Sequence, residues 1–190
     1  MGKLTLRFWS GALFVAVLLG LPVASRAGGG QPWVLVDTGA LTLTVLSAEN
    51  RVLARIHNIA IGSGGAAEIH HRGDETTPRG MFHVTWVDRH SRFTTFYGLD
   101  YPSARIARRA YAEGSISQAE RDAILRALRQ HRTPPQNTPL GGQLGIHGLG
   151  SGKPGVQQAV NWTDGCVALS NRDIRLLSRW MHVGTRVVIR

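Results

Sequence analysis

The chain contains one cysteine, Cys166, at the end of a Thr-Asp-Gly-Cys segment (residues 163–166). A histidine, His147, stands upstream between an apolar run and Gly148. A thiol with an ordinary pKa of about 8.5 is only a few per cent ionised at neutral pH. An imidazole within hydrogen-bonding reach can take its proton and lower that pKa. This pair predicts a cysteine nucleophile with a histidine base.

The residues around the pair fit the same chemistry. Gly165 lets the backbone turn sharply just before the cysteine, and backbone N–H groups at such a turn, including that of Cys166, can stabilise an oxyanion. Thr163 and Gly148 are candidates for supporting this loop. Alternatively, Cys166 is a small buried apolar residue, as most free cysteines are. Composition alone favours that alternative, so the spacing of the motifs has to decide.

The spacing resembles a known family. Ile-His-Gly at 146–148, a spacer and Thr-x-Gly-Cys at 163–166 resemble the signature of the L,D-transpeptidase catalytic domain (YkuD-like) family. Thr-Pro-x-Gly-x-Phe at 77–82, Pro-Leu-Gly-Gly at 139–142 and the final run 184–189 extend the likeness over residues 33–190. The form Trp-Thr-x-Gly-Cys-Val-Ala-Leu-Ser-Asn resembles a subgroup related to the YafK-like proteins.

The resemblance implies a function. Cys166 would attack a peptidoglycan stem peptide and form a thioester, His147 would act as base and then acid, and a carbonyl near Gly148 would orient the imidazole. It implies no metal and no organic cofactor. Two alternatives remain open: an L,D-amidase or carboxypeptidase that releases wall-attached peptide or protein, and a non-catalytic relic of the fold that binds the wall.

Two positions depart from the family pattern. Asp164 stands where most members have His, and Ala168 where many have Arg or Asn. We therefore expect hydrolysis to compete with transpeptidation. The candidate substrate-binding residues are Asp164, Trp162, Tyr97 and Tyr101. The aromatic stretch 88–101, which holds both tyrosines, either packs in the core or forms a wall of the substrate groove.

The patterning predicts a mainly β fold, an L,D-transpeptidase-type sandwich or barrel-like mixed sheet. Short apolar or alternating runs predict strands at 33–36, 41–46, 52–61 and 81–87. Residues 103–132 predict one long helical insertion with a capping box at Ser117, and a second box at Ser170 predicts a short helix after the cysteine motif. His70 and His71 lie in a Gly-rich segment and point to opposite faces if extended, so we predict a solvated loop rather than a metal site.

Composition limits the partners. The formal net charge of +10 suits an anionic partner such as the wall polymer. No basic stretch interleaved with aromatic residues is present, so we predict no nucleic-acid partner. One cysteine excludes an internal disulfide framework and a multi-cysteine metal site. Apolar residues make up 43% of the chain, which is enough for a core.

The first 27 residues have the pattern of a signal peptide. Lys3 and Arg7 precede the apolar run 8–21, and Ser25-Arg26-Ala27 offers small residues at the cleavage positions. The domains are then a signal peptide (1–27), a flexible joint (28–32) and a catalytic domain (33–190). We expect an exported protein of the periplasm or cell envelope without stable membrane contact, and with a wall-attached protein as a further candidate partner. An uncleaved anchor is the alternative.

We predict that the mature protein begins near Gly28, because cleavage after Ala27 fits the small-residue rule. N-terminal sequencing of protein isolated from the cell envelope measures this directly. A retained Met1 would contradict cleavage and favour the anchor.

Overall fold

The computed structural model of the chain describes residues 1–2, 30–152 and 160–190. The strands in these ranges are β1 Trp33–Asp37, β2 Thr42–Leu46, β3 Val52–His57, β4 Ala66–Ala67, β5 Thr77–Pro78, β6 Gly80–Asp88, β7 Phe96–Leu99, β8 Gly145–His147, β9 Val167–Ala168 and β10 Arg186–Ile189. The helices are α1 Ala104–Ala112, α2 Gln118–Arg129 and α3 Asn171–Leu177.

Eight of the described strands form one mixed sheet in the order β3-β2-β1-β10-β6-β7-β8-β9. The pairs β1–β10 and β8–β9 are parallel, and the other neighbours in this sheet are antiparallel. The sheet curls until its two ends meet: Ala60, just after β3, exchanges backbone hydrogen bonds of 2.9 and 2.8 Å with Ala168 in β9. The predicted mainly β, barrel-like mixed sheet is confirmed.

Alternation along the strands places the core inside this curl. On β6, Phe82 and Val84 are buried whereas Met81 and His83 face outward. The predicted strand over 52–61 ends earlier than expected, at His57, and the chain then continues to its bridge with β9. The apolar residues of the inner face therefore come from every part of the sheet.

The predicted helical insertion is present but consists of two helices rather than one. α1 ends before Gly114, which has a φ of +74° and breaks the helix. Ser117 then caps α2: it accepts a hydrogen bond from the N–H of Glu120 while the Glu120 carboxylate accepts one from the N–H of Ser117. The capping boxes predicted at Ser117 and at the start of the helix after the cysteine are confirmed as helix starts.

The predicted signal peptide (1–27) and the joint (28–32) lie outside the described residues, except for residues 1–2 and 30–32. None of the helices in the described ranges has the length and hydropathy that a membrane span requires.

Candidate active site

The pairing of β8 with β9 places His147 and Cys166 on one face of the sheet. In this parallel pair Ile146 lies opposite Val167 and His147 opposite Ala168. Ile146 and Val167 point into the core, with 0% and 1% of their surface exposed. Because side chains alternate along a strand, His147 and the residue before Val167 share the opposite face. The two residues that the sequence predicts as base and nucleophile therefore face the same side.

His147 is held in the tautomer that a base requires. Its Nδ1 lies 2.7 Å from the carbonyl oxygen of Gly148. A carbonyl can only accept, so Nδ1 carries the proton and Nε2 is left as a proton acceptor. This is the contact that the family resemblance implied for a carbonyl near Gly148.

Aromatic rings surround the imidazole. The rings of Phe93 and Phe96 lie 4.2 and 5.6 Å from that of His147, and Trp162 meets it edge-on at 6.0 Å. Only 3% of His147 is exposed. This burial lowers the pKa of His147, the hydrogen bond with Gly148 opposes the shift, and the charge of Arg92 adds to it. The imidazole is therefore neutral at neutral pH and able to accept a proton.

The surroundings of Cys166, which is half-buried, favour the protonated form of its thiol. Burial among protein atoms raises its pKa to about 12; the N–H of Gly145 opposes this shift and the negative charge of Asp164 adds to it. The thiol donates a long hydrogen bond of 3.6 Å to the carbonyl of Gln143. The lowered thiol pKa expected from the sequence is wrong for this conformation, because burial outweighs every group that would stabilise a thiolate.

Thr163 fastens the cysteine loop to the rest of the sheet. Its hydroxyl donates to the carbonyl of Cys166 at 2.6 Å and accepts from the N–H of Gly165 at 3.3 Å. Its backbone N–H donates to Ile61, and its carbonyl accepts from the N–H of Ser63 at 2.8 Å. Thr163 is 3% exposed, so these bonds are shielded from water. The loop-support position predicted for Thr163 has a clear structural basis.

Only glycine fits at position 165. Gly165 has a φ of +115°, which side chains other than hydrogen rarely allow. A Cβ there would also lie 2.6 Å from the carbonyl oxygen of Thr76 and 3.2 Å from the ring of His70. The Gly165 carbonyl in turn accepts from the hydroxyl of Thr77 at 3.0 Å. The Thr-Pro segment at 77–78 therefore supports the turn before Cys166, a contact that sequence reasoning did not find.

The four predicted substrate-binding residues separate into two groups. Asp164 is exposed and borders a cleft of about 370 Å³. Trp162 is half-buried beside His147, and its indole N–H has no partner among the described residues. Tyr97 and Tyr101 are 0% exposed, so their assignment to the groove wall is wrong and the core alternative is correct. The other residues lining the cleft are His70, Arg72, Gly73, Glu75, Gln136, Gly141 and Gly142.

His70 is a part of this region that the sequence did not reveal. It is 4% exposed, and its Nδ1 lies 2.7 Å from the Thr76 carbonyl and 2.9 Å from the Asp74 carboxylate. The buried Tyr101 hydroxyl bonds to both the N–H and the carbonyl of His70. The predicted solvated loop is therefore wrong for His70, whereas the side chain of His71 is 43% exposed. Local composition gave no signal for the link to Tyr101, which is 31 residues further along the chain.

Position 168 is also more constrained than the sequence suggested. Ala168 is 0% exposed and lies between β8 and the bridge to Ala60. A longer polar side chain at this position would need the surrounding backbone to move.

We predict that Thr163→Val lowers the free energy of unfolding by about 1–3 kcal/mol, because the buried Cys166 carbonyl and Gly165 N–H both lose a partner. Urea unfolding measures the change. Thr163→Ser keeps the hydroxyl and is the matched control, expected to lose less stability. A larger loss in Thr163→Ser than in Thr163→Val would show that the methyl group, not the hydroxyl, matters.

Comparisons with known proteins identify the family and the fold. A family model described as the L,D-transpeptidase catalytic domain (YkuD) matches residues 31–189. No curated protein sequence matches the chain. Among solved structures, Bd1075 of Bdellovibrio bacteriovorus has a TM-score of 0.55 at 15% identity, over 87% of this chain and 50% of that chain. The helical cell shape determining protein Pgp2 of Campylobacter jejuni has a TM-score of 0.54 at 16% identity, over 85% and 49%.

At these identities the two structures show a shared fold, and the chain spans about half the length of each. The family model, by contrast, covers most of the chain, including the histidine and cysteine segments. The protein therefore belongs to the L,D-transpeptidase catalytic domain (YkuD) family.

Proposed function

We propose that the protein is an exported cysteine acyl transferase or hydrolase that acts on peptidoglycan stem peptides. Cys166 is the nucleophile and His147 is the general base. The observation that carries this proposal is the neutral His147, whose Nδ1–H is bonded to Gly148, on the same face as Cys166. Family membership supports the substrate class, and the sequence pattern supports export and a place near the YafK-like subgroup.

The lowered pKa of His147 and the raised pKa of Cys166 favour a neutral imidazole and a neutral thiol in the resting state, rather than an ion pair. Attack therefore begins when the thiol turns from the Gln143 carbonyl toward Nε2 of His147. The thiol proton moves to Nε2 as a bond forms between sulfur and the substrate carbonyl carbon. When the tetrahedral intermediate collapses, the carbon–nitrogen bond breaks, the imidazolium returns the proton to the leaving amine, and a thioester remains on Cys166.

The loop before the cysteine supports the negative oxygen of the intermediate. The backbone N–H of Cys166 follows the turn at Gly165 and is a suitable donor. Thr163 and Thr77 fix the Cys166 and Gly165 carbonyls, respectively, so the peptide groups of this turn hold their orientation. A donor fixed in advance needs no reorganisation as charge develops.

The second half-reaction decides the product: an amine acceptor gives a cross-link, and water gives a trimmed peptide. Asp164 borders the cleft but, when ionised, cannot donate a hydrogen bond. Ala168 is buried and offers no polar side chain. Both features weaken the capture of a second peptide, whereas water needs no binding pocket. Attack by water is therefore favoured over attack by an amine acceptor, which corresponds to an amidase or carboxypeptidase activity.

A second candidate is a non-catalytic wall-binding protein. One observation favours it: a thiol with a pKa near 12 is a poor nucleophile in the resting state. The intact thiol, imidazole and supporting threonine favour catalysis. Covalent capture of a peptide substrate on Cys166 separates the two candidates.

We predict that the native thiol is alkylated at pH 8 at least about 100-fold more slowly than the thiol of the urea-unfolded protein. Burial disfavours the charged thiolate, so its fraction stays low and grows about tenfold per pH unit until the pH nears the raised pKa of about 12. Iodoacetamide labelling followed by mass spectrometry gives the rate, with Cys166→Ala as the unlabelled control. A plateau below pH 9 would contradict the raised pKa.

We predict that purified muropeptides are processed by the wild-type protein, and that Cys166→Ala abolishes processing because the chain has no other thiol. His147→Ala should slow turnover by about 10²–10⁴-fold through loss of the base. Mass analysis of the products and of the acylated protein measures both effects. His57→Ala, which removes an exposed histidine on β3, is the matched control and should retain activity.

Activity in Cys166→Ala above a few per cent of wild type would overturn the nucleophile. An acyl adduct that never forms on the wild-type protein, whatever the acceptor, would favour the wall-binding candidate.

We predict that cleaved products exceed cross-linked or exchanged products even at saturating acceptor, because acceptor binding is weak and water is abundant. The product ratio from the same assay measures this. Asp164→His places a hydrogen-bond donor at the exposed edge of the cleft and should shift the ratio toward cross-links, whereas Asp164→Ala should not. A wild-type mixture dominated by cross-links would refute the hydrolytic preference.

A further inference from the structure

Asn171, the first residue of α3, binds the turn that follows the histidine. Its Nδ2 donates to the carbonyl of Gly150 at 2.6 Å, and its Oδ1 accepts from the N–H of Gly150 at 2.9 Å. The Oδ1 also accepts from the hydroxyl of Thr94 at 2.9 Å. The partners fix the orientation of the amide, since one is a carbonyl and the others are donors. The helix cap is Ser170 instead, so Asn171 has a different task from the capping role that its position suggests.

The same turn is held from its other side by the loop after β6. The N–H of Gly148 donates to the carbonyls of Phe93 and Thr95 at 3.1 and 3.3 Å. A Cβ at position 148 would lie 2.7 Å from the Phe93 carbonyl oxygen and 2.8 Å from Oδ1 of Asn171. The turn 148–150 is therefore held between residues 93–95 and Asn171, and we call this set of contacts the clasp. No side chain fits at residue 148, the first of the turn.

The clasp acts on His147 through one peptide group. The Gly148 carbonyl that accepts the Nδ1–H of His147 lies between the bonded N–H of Gly148 and the bonded Gly150. The bonds on both sides restrict the rotation of this carbonyl away from the ring. A mobile carbonyl would let the proton move to Nε2, the nitrogen that has to accept the thiol proton.

We propose that Asn171 is a positioning residue, which holds the Gly148 carbonyl against His147 and so keeps Nε2 unprotonated and directed toward the thiol. The inference rests on the proposed function, in which His147 is the base for Cys166. Asn171 itself touches neither the thiol nor the imidazole in the described hydrogen-bond network; it acts through Gly150 and Gly148.

The proposal requires an amide at position 171. Asparagine provides a donor for the Gly150 carbonyl and an acceptor for the Gly150 N–H. Aspartate has the same size and can still accept hydrogen bonds from the Gly150 N–H and the Thr94 hydroxyl. It has no donor for the Gly150 carbonyl and places a negatively charged oxygen against it. Aspartate is also favourable in the first turn of a helix. Asn171→Asp should therefore preserve stability better than Asn171→Ala while losing the clasp, which separates positioning from packing.

The experiment compares the wild-type protein with Asn171→Asp, Asn171→Ala and Ser170→Ala. The last removes the true cap of α3 and tests whether helix stability alone explains an effect. We expect both Asn171 variants to lower kcat for muropeptide processing about 10- to 100-fold with little change in KM, as misplacement of a catalytic group does. Ser170→Ala should lower the unfolding temperature but leave kcat within about threefold, since the loss of a cap costs stability alone.

Nitrogen-15 NMR of His147 supplies a readout that does not need activity. We expect the Nδ1–H tautomer in the wild type and in Ser170→Ala, and a mixed population of both tautomers in the Asn171 variants. Unchanged kcat and tautomer in Asn171→Asp would overturn the proposal, and so would an equal fall in kcat in Ser170→Ala. If His147→Ala leaves turnover unchanged, the proposed function fails; the tautomer shift then still reports whether the clasp orients the ring.

Discussion

The site depends on the parallel pairing of two very short strands, β8 and β9. This pairing sets the register in which His147 lies opposite Ala168, and the bond from the N–H of Leu169 to the carbonyl of His147, at 2.9 Å, extends it. A shift of one residue would move Cys166 to the core face and leave His147 without a partner. The closure of the sheet through Ala60 holds β9 from its other edge. The backbone ladder, more than any side-chain contact, brings the two residues to one face.

Burial shifts the pKa values of His147 and Cys166 in opposite directions, and both shifts favour the neutral form. It lowers the pKa of His147 and raises that of Cys166, because a poorly solvated site disfavours both charged forms. The resting site thus contains two neutral partners. Under the proposed function, the neutral state protects the Cys166 thiol from electrophiles until a substrate binds, and activation of this thiol accompanies the arrival of that substrate.

The loops around the site form a continuous set of supports. Thr163 ties the cysteine loop to residues 61–63, Thr77 ties Gly165 to the strand before β6, and Asn171 ties the turn after His147 to α3. These contacts join segments that are far apart in the chain, so the positions of His147 and Cys166 depend on distant parts of the fold. The curled sheet brings those segments together around the paired strands β8 and β9.

The sequence by itself determined the features that local chemistry controls. Short apolar or alternating runs indicated β1, β2, β3 and β6, and Ser117 and Ser170 indicated where two helices begin. The motif around Cys166 indicated the family and fold class. Sequence also indicated a turn at Gly165, because few other residues adopt that backbone conformation.

Only the tertiary structure decided what depends on distant contacts. It split the helical insertion at Gly114, buried Tyr97 and Tyr101, and brought His70 beside the cysteine loop. It also raised the pKa of the Cys166 thiol, which the motif had led us to expect to be low. A pKa depends on the solvent and charges within a few ångströms, and these come from segments that the fold, not the local sequence, places there.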